Sequence, residues 1–432
     1  MTTYNEEVVP GPFEPLDAVA ALIGSGLFGQ YVVYERDHSW YFAGDPLAEV
    51  TVHPSSVRST FTEAVEWAGT PWQAISEVLS KTGVEGWNAF GWACFEVASD
   101  PTRDGGQPLA HLMIPATEIR ITAASVTIRH VESGKAAEIR AALATGRRKA
   151  GRPRPIDVRT SDGTYEKAVA LSVADIRAGR LDKVILSRVV EVPFAVDLCA
   201  TYVEGRAGNT PARSFLLDLG AWRAAGFSPE TVVEVQPCGL ASTQPLAGTR
   251  ALTGDAGLDE ELRTELCTDA KEVFEHATSV KLAFDELAGV GGRSATRVSE
   301  FLTVKARGSV QHLASRVETS LPPGVTSWSA LGAVFPAVTA SGIPKAAAYQ
   351  LINELEDERR GLYSGTVLMA GSDGSLDAAL VLRSVYQQGD RSWLRAGAGI
   401  VGDSRPDREF EETCEKLASV APYLIPVNDG AS

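Results

Sequence analysis

Arg395-Ala396-Gly397-Ala398-Gly399-Ile400, followed by Glu409-Phe410-Glu411-Glu412-Thr413-Cys414-Glu415-Lys416, decides how the rest of this chain reads. The first stretch is a strand end with little side chain on it. The second is an acidic helix. On a helix Glu409 and Glu412 stand three apart and Lys416 four beyond Glu412, so all three point to one side. Two carboxylates and an ammonium on one face, just after backbone bare enough to approach a ligand, can hold a hard cation and an anionic substrate together. The plain alternative is a solvated helix with an ordinary acid–base pair. That alternative loses ground because Lys271-Glu272-Val273-Phe274-Glu275-His276 spaces two more glutamates three apart.

Outward from this stretch the chain is rich in strands. Gln30-Tyr31-Val32-Val33-Tyr34-Glu35 and Glu118-Ile119-Arg120-Ile121-Thr122 alternate apolar and polar residues, as do most of residues 28–60 and 85–130, and predict antiparallel strands. Helices are expected over 72–82, 135–147, 164–179 and 260–288. Strands are expected over 182–192, 214–219, 362–370, 376–387 and 391–400, with two more flanking Cys238-Gly239. Ser372-Asp373-Gly374-Ser375 is a hairpin signal. The segments 226–230 and 245–250 read as a turn and a loop. Ser341-Gly342-Ile343-Pro344 and Ser404-Arg405-Pro406-Asp407 read as helix starts capped by serine with an early proline. Strands and helices in no strict βαβ order argue for an α+β fold. The polar, proline-bearing stretch 150–163 is the best connector, dividing a β-rich portion over 1–150 from a second portion over 164–425.

The chain has 432 residues, is 44% hydrophobic and 22% charged, and so can bury a large core. Its net charge of −15 argues against nucleic acid or an anionic membrane as partner. An anionic small molecule would need local cations gathered against that field. No apolar stretch is long enough to span a bilayer, and MTTYNEEVVPGPFEP lacks a signal-peptide pattern. Five scattered cysteines without a CxxC pair suggest neither a disulfide framework nor a zinc site. The expectation is a reduced, cytoplasmic protein.

Glu272, Glu275, Glu409 and Glu412 are candidate Mg²⁺ ligands, since magnesium takes hard oxygen donors and shares its shell with anionic substrates. Lys183 shares a strand face with Ile185 and Ser187. It is either a partly desolvated amine of general-base character or a strand-end lysine reaching solvent. Glu230, after Ser228-Pro229, becomes a general acid only if the fold aims it at a pocket. His312 lies on a strand-like stretch, where a lone histidine is more often structural. Arg383 interrupts an apolar strand and needs an anion, from the protein or from a substrate. Tyr363 and Thr339 say nothing alone.

Together these signals fall into one order. It runs Lys183 with Ile185-Leu186-Ser187-Arg188, GFSPE at 226–230, PLAGTR at 245–250, KEVFEH at 271–276, GSVQHL at 308–313, FPAVTASGIP at 335–344, GLYSG at 361–365, RAGAGI at 395–400 and EFEETCEKL at 409–417. That series resembles the chorismate-utilising enzymes, most closely the salicylate synthases that serve siderophore assembly, over about residues 164 to 422. The resemblance implies large, mostly antiparallel sheets with helices outside, and a set of roles. Lys183 would activate water for attack on ring carbon 2 of chorismate, and Glu230 would assist loss of the hydroxyl at ring carbon 4. Glu275 and Glu412 would bind Mg²⁺, supported by Glu272 and Glu409, and the ion would hold the ring carboxylate. Tyr363, Arg383 and the amides near Gly397 and Gly399 would hold the enolpyruvyl carboxylate. Gly248, Thr249, His312 and Lys416 would complete the ring-side wall.

The resemblance also bears on the reaction. Ammonia-using members generally lack a lysine at the position of Lys183 and work with a glutaminase, of which this chain shows no recognisable trace. Water is therefore the expected nucleophile, no glutaminase subunit is expected, and a monomer is. Thr339, in AVTASG, follows the salicylate-forming pattern, whereas isochorismate synthases tend to carry a smaller residue there. The expectation is conversion of chorismate through isochorismate to salicylate and pyruvate. The alternatives are a synthase that stops at isochorismate and a non-catalytic chorismate-binding regulator.

Overall fold

The computed structural model describes residues 2–103, 105–146, 151–308 and 310–427. The expected helix end at 147–149, Ala150 at the start of the connector, and Ser309 lie outside the described residues.

The strands form one hydrogen-bonded network in which every ladder is antiparallel. Two long strands, Ser39–Val52 and Ala110–Ile121, run side by side. Their two ends enter different sheets. At one end Tyr31–Arg36 continues the order through Arg213–Leu219, Trp222–Ser228, Ser384–Gln388, Arg391–Ile400 and Lys183–Val192 to the short Gly342–Ile343. At the other end Asn88–Ala93 leads through Thr366–Gly371, Leu376–Leu380, Thr231–Val235 and Leu240–Thr243 to Val310–Ser320 and Thr296–Arg307. Strands before residue 150 therefore pair directly with strands after residue 163 in both sheets.

Strand alternation builds the layers. Val32 and Tyr34 face a core shared by both sheets with Trp92, Phe215, Val367 and Tyr386. Val33, between them, faces outward with Leu216 onto Leu22, Ile139, Tyr202 and Leu417 of the helices Pro15–Gly24, Lys135–Thr145, Leu198–Ala207 and Pro406–Leu417. The second sheet is covered by Trp72–Ser80, Ala270–Gly291 and Ser327–Val334. The molecule is thus α+β, with helices outside two large antiparallel sheets, as expected.

Five local readings change. The long helix is two, Ala256–Thr268 and Ala270–Gly291, because Asp269 ends the first and turns its carboxylate to the N–H groups of Lys271 and Glu272 to cap the second. Residues 245–250 are no loop, for Leu246–Ala251 pairs with Val310–Ser320, with its register shifted between Ala247 and Arg250. Gly226 to Ser228 belong to the strand Trp222–Ser228, leaving Pro229-Glu230 as the turn. The strand expected over 376–387 breaks at residues 381–383, where Arg383 takes φ +50°. Neither serine caps a helix: Ser341 Oγ donates to the Ala337 carbonyl, and Ser404 Oγ accepts from the Val401 N–H.

Candidate active site

Where the chain crosses between the sheets, it leaves one ladder before joining the next. Pro229-Glu230 links Trp222–Ser228 to Thr231–Val235, and residues 381–383 link Leu376–Leu380 to Ser384–Gln388. The two crossings hold each other: the Leu380 N–H goes to the Glu230 carbonyl at 3.2 Å and the Phe227 N–H to the Arg383 carbonyl at 3.1 Å. Such positions point side chains into the gap between sheets, and a pocket opens there. Lys183, Glu230, Gly248, Thr249, Glu275, His312, Thr339, Tyr363, Arg383, Gly397, Gly399, Glu412 and Lys416 all line it.

The bare strand is close beneath. Gly399 stands opposite Ile185 and Gly397 opposite Ser187. A Cβ on Gly399 would lie 2.9 Å from Glu275 Oε1 and 3.4 Å from Lys183 Cε, so the strand must be glycine for that ion pair to lie over it. Gly248 combines φ +66° with the close approach of Glu272 Oε2, 2.9 Å from where its Cβ would be.

Glu230 is 3% exposed. Thr339 Oγ1 donates to its Oε1 and the Leu246 N–H to its Oε2 at 3.1 Å. Burial raises its carboxyl to about 7, although Thr339, Leu246 and Lys183 all favour the anion. A carboxyl that keeps a proton near neutrality can donate it. Lys183 is 4% exposed, so the solvent-reaching alternative is excluded, and Nζ meets Glu275 Oε1 at 2.7 Å.

His312 is a neutral acceptor. The Gly248 carbonyl, 3.0 Å from Nδ1, can only accept, so Nδ1 carries the proton and Nε2 takes the 2.9 Å bond from Arg383 Nη2. Burial, then the Arg383 charge, holds its pKa down at about 3. Arg383 has, among the described residues, no carboxylate within ion-pair distance. Burial lowers its pKa to about 10, and its free charge faces a pocket suited to an anion.

The four glutamates divide. Glu275 and Glu412 line the pocket and Glu272 and Glu409 stand behind. Each faces a cation: Glu275 Lys183 at 2.7 Å, Glu412 Lys416 at 2.8 Å, Glu272 Arg250 at 3.6 Å and Glu409 Lys271 at 3.9 Å. Charge is still poorly matched. Glu409 Oε1 is buried without a hydrogen-bond partner, and burial followed by Glu412 raises its carboxyl to about 7. Burial followed by Glu275 raises Glu272 as well. An all-oxygen donor set with an orphaned carboxylate oxygen fits a hard divalent cation in kind. Among the described residues, no three ligands are already gathered into a metal cluster.

Arg395 also lines the pocket, and it was missed because its strand read simply as bare backbone. Its partner Glu356, and Arg360, were likewise missed. All three are long charged side chains that the fold buries, which no local pattern marks.

The model for chorismate binding enzyme matches residues 30–422. The chain belongs to the chorismate-binding enzymes. Within that family it is 41% identical to a salicylate synthase of Mycolicibacterium paratuberculosis, over 96% of this chain and 95% of that one. An anthranilate synthase component 1 of Aeropyrum pernix is 39% identical, over 61% of this chain and 60% of its own. The fold is shared with anthranilate synthase component I of Streptococcus pneumoniae, with a TM-score of 0.74 at 24% identity, covering 89% of this chain and 92% of that one. It is shared equally with the menaquinone-specific isochorismate synthase of Escherichia coli, with a TM-score of 0.74 at 21% identity, covering 98% and 95%. The chain is therefore an enzyme related over nearly its whole length to a salicylate synthase, and no described helix is long and apolar enough to cross a membrane.

Proposed function

We propose that this chorismate-binding enzyme converts chorismate through isochorismate to salicylate and pyruvate, with Mg²⁺ as its metal. The observation that carries the reading is one pocket holding the buried amine of Lys183 and the buried carboxyl of Glu230, raised to about 7 by burial, with Thr339 bonded to that carboxyl. The nearly full-length likeness to a salicylate synthase supports it. We place the enzyme in the cytoplasm and expect it to act alone as a monomer.

Lys183, as general base, takes a proton from water as the water oxygen bonds to ring carbon 2. Both ring double bonds shift, from carbons 1–2 to 1–6 and from 5–6 to 4–5, and the bond from ring carbon 4 to its hydroxyl breaks. Glu230 gives that departing oxygen its proton. Elimination then needs no further base: hydrogen at ring carbon 2 moves to the enolpyruvyl methylene, the ether bond breaks, and the ring becomes aromatic. What this step needs is restraint. Arg383, oriented by His312, would hold the enolpyruvyl carboxylate with Tyr363 and the amides near Gly397 and Gly399. Lys416, pinned by Glu412 and the Gly397 carbonyl at 2.8 Å each, would add positive charge on the ring side with Gly248 and Thr249. Mg²⁺ held by Glu275 and Glu412, with Glu272 and Glu409 in support, would supply the charge that binds the ring carboxylate.

The test is incubation of purified protein with chorismate, with and without Mg²⁺, and chromatography of the products. Salicylate and pyruvate in equal amounts are expected with Mg²⁺, and neither in excess EDTA. Release of isochorismate alone would replace this reading with that of an isochorismate synthase. Full activity in EDTA would remove the metal.

A further inference from the structure

Arg360 plays no part in the chemistry above and does not line the pocket. Its side chain is 1% exposed, in the turn ahead of the strand Thr366–Gly371. All three guanidinium nitrogens are committed. Nε and Nη2 donate to the Glu356 carboxylate at 2.9 and 2.7 Å, Nη1 to the Ala340 carbonyl at 2.8 Å, and Nη2 also to the Ile185 carbonyl at 2.6 Å. The guanidinium lies over the rings of Phe95 and Tyr363, 4.6 and 5.6 Å from their centroids.

These contacts converge on three walls of the pocket. Ala340 follows Thr339, which holds Glu230. Ile185 is two residues past Lys183 on the same strand face. The Tyr363 ring forms a third wall. The Lys183 strand and the Thr339 turn already meet through the Ile185 N–H and the Ser341 carbonyl at 2.9 Å, and through the pairing of Gly342 with Val184. That ladder is only two residues long. Arg360 bonds the carbonyls at its end. Glu356 ties the same junction from below, accepting from the Ser187 N–H at 2.8 Å and from Arg395 Nη2 at 2.6 Å. The turn itself hangs on the buried Glu96 carboxylate, which accepts from the Arg360 and Gly361 N–H groups.

We propose that Arg360 is a positioning residue of this site. It sets the Lys183 strand, the Thr339 turn and the Tyr363 ring in register, so that base and acid face one substrate and the enolpyruvyl arm is held for elimination. This rests on the salicylate-forming reading of the pocket. The planar fork suits the task because it fixes the directions of several bonds at once. Lysine would keep a charge beside Glu356 but could not reach both carbonyls in fixed directions.

Arg360→Lys therefore separates charge from geometry. The expected result is a folded protein whose KM for chorismate changes less than about threefold, while kcat falls on the order of a hundredfold, the cost of about 1 Å of misplacement. Released isochorismate per salicylate should rise. In a Thr339→Ala background the same substitution should change that ratio little, because both act through one turn. Phe95→Leu, which loosens the guanidinium but leaves its hydrogen bonds, should move the ratio the same way. It serves as the test if Arg360→Lys does not fold. A kcat loss that only tracks the folded fraction by circular dichroism, with the ratio unchanged in every folded variant, overturns the proposal. Wild-type protein that makes no salicylate overturns instead the reading on which it rests.

Discussion

Glu230 is the residue whose environment says most about the reaction. Its carboxyl sits near 7, raised from 4.5 by burial. A general acid must carry its proton, so the rate of chorismate consumption at low substrate should fall as pH rises through about 7. Glu230→Gln should remove that limb and lower the rate by roughly a hundred- to ten-thousandfold, the usual range for acid–base assistance. The same shift has a sign for stability. A folded pKa above the unfolded one contributes stability that is complete below about 4.5 and lost as pH rises through about 7. Unfolding midpoints of wild type and Glu230→Gln should therefore diverge across that window. A pH–rate limb that survives in the variant assigns it to another group. His312 does not qualify, since its pKa lies at about 3.

At the scale of elements, the site depends on how helices begin and strands end. The helix Ala270–Gly291 carries Glu272 and Glu275, and its start is set by Asp269, whose Oδ1 takes two N–H groups while Oδ2 takes Arg250 Nη2 at 3.0 Å. Asp269→Ala should cost about 1 kcal/mol, the usual worth of such a cap. It should also weaken metal binding, measured by titration with Mn²⁺, because the first turn bearing Glu272 would fray. Unchanged stability and affinity would show that Arg250 alone holds the helix start. This break was not legible beforehand, because the apolar period runs through Asp269 and the cap competes with helix only locally. By contrast the strand Arg391–Ile400 and the helix Pro406–Leu417 were legible to within a residue or two, since glycine run, proline and helical charge spacing all agree. The strand Leu246–Ala251 was missed for the opposite reason. It is short, its register shifts, and its pairing comes from Val310–Ser320, far along the chain. The pocket residues were found because their motifs carry a family resemblance. Arg360, Glu356 and Arg395 were not, because what they touch is decided by tertiary contacts.

At the scale of the molecule, the pocket requires that the two sheets keep one spacing, since Glu230 and Arg383 sit on the segments that cross between them. A buried ionic tie spans that spacing well away from the chemistry. Asp377, on the second sheet and 1% exposed, accepts Arg213 Nε and Nη2 at 2.8 Å each from the first sheet. Tyr34 Oη, also from the first sheet, donates to it at 2.5 Å, and Arg36 Nε lies 3.5 Å away. Removing one member of such a group leaves the opposite charge buried and unpaired, which costs more than the intact pair contributes. Asp377→Ala should therefore destabilise the fold by about 3–5 kcal/mol. Tyr34→Phe, which deletes one neutral donor, should cost about 1 kcal/mol. Both would be read from urea unfolding. Because none of these residues lines the pocket, the folded fraction of either variant should keep its wild-type ratio of products. A loss under about 1 kcal/mol for Asp377→Ala would mean that the sheets repack around Arg213 or admit water to it. A changed product ratio with stability intact would place the tie inside the active-site machinery, reaching Glu230 through the neighbouring strands Thr231–Val235 and Leu376–Leu380.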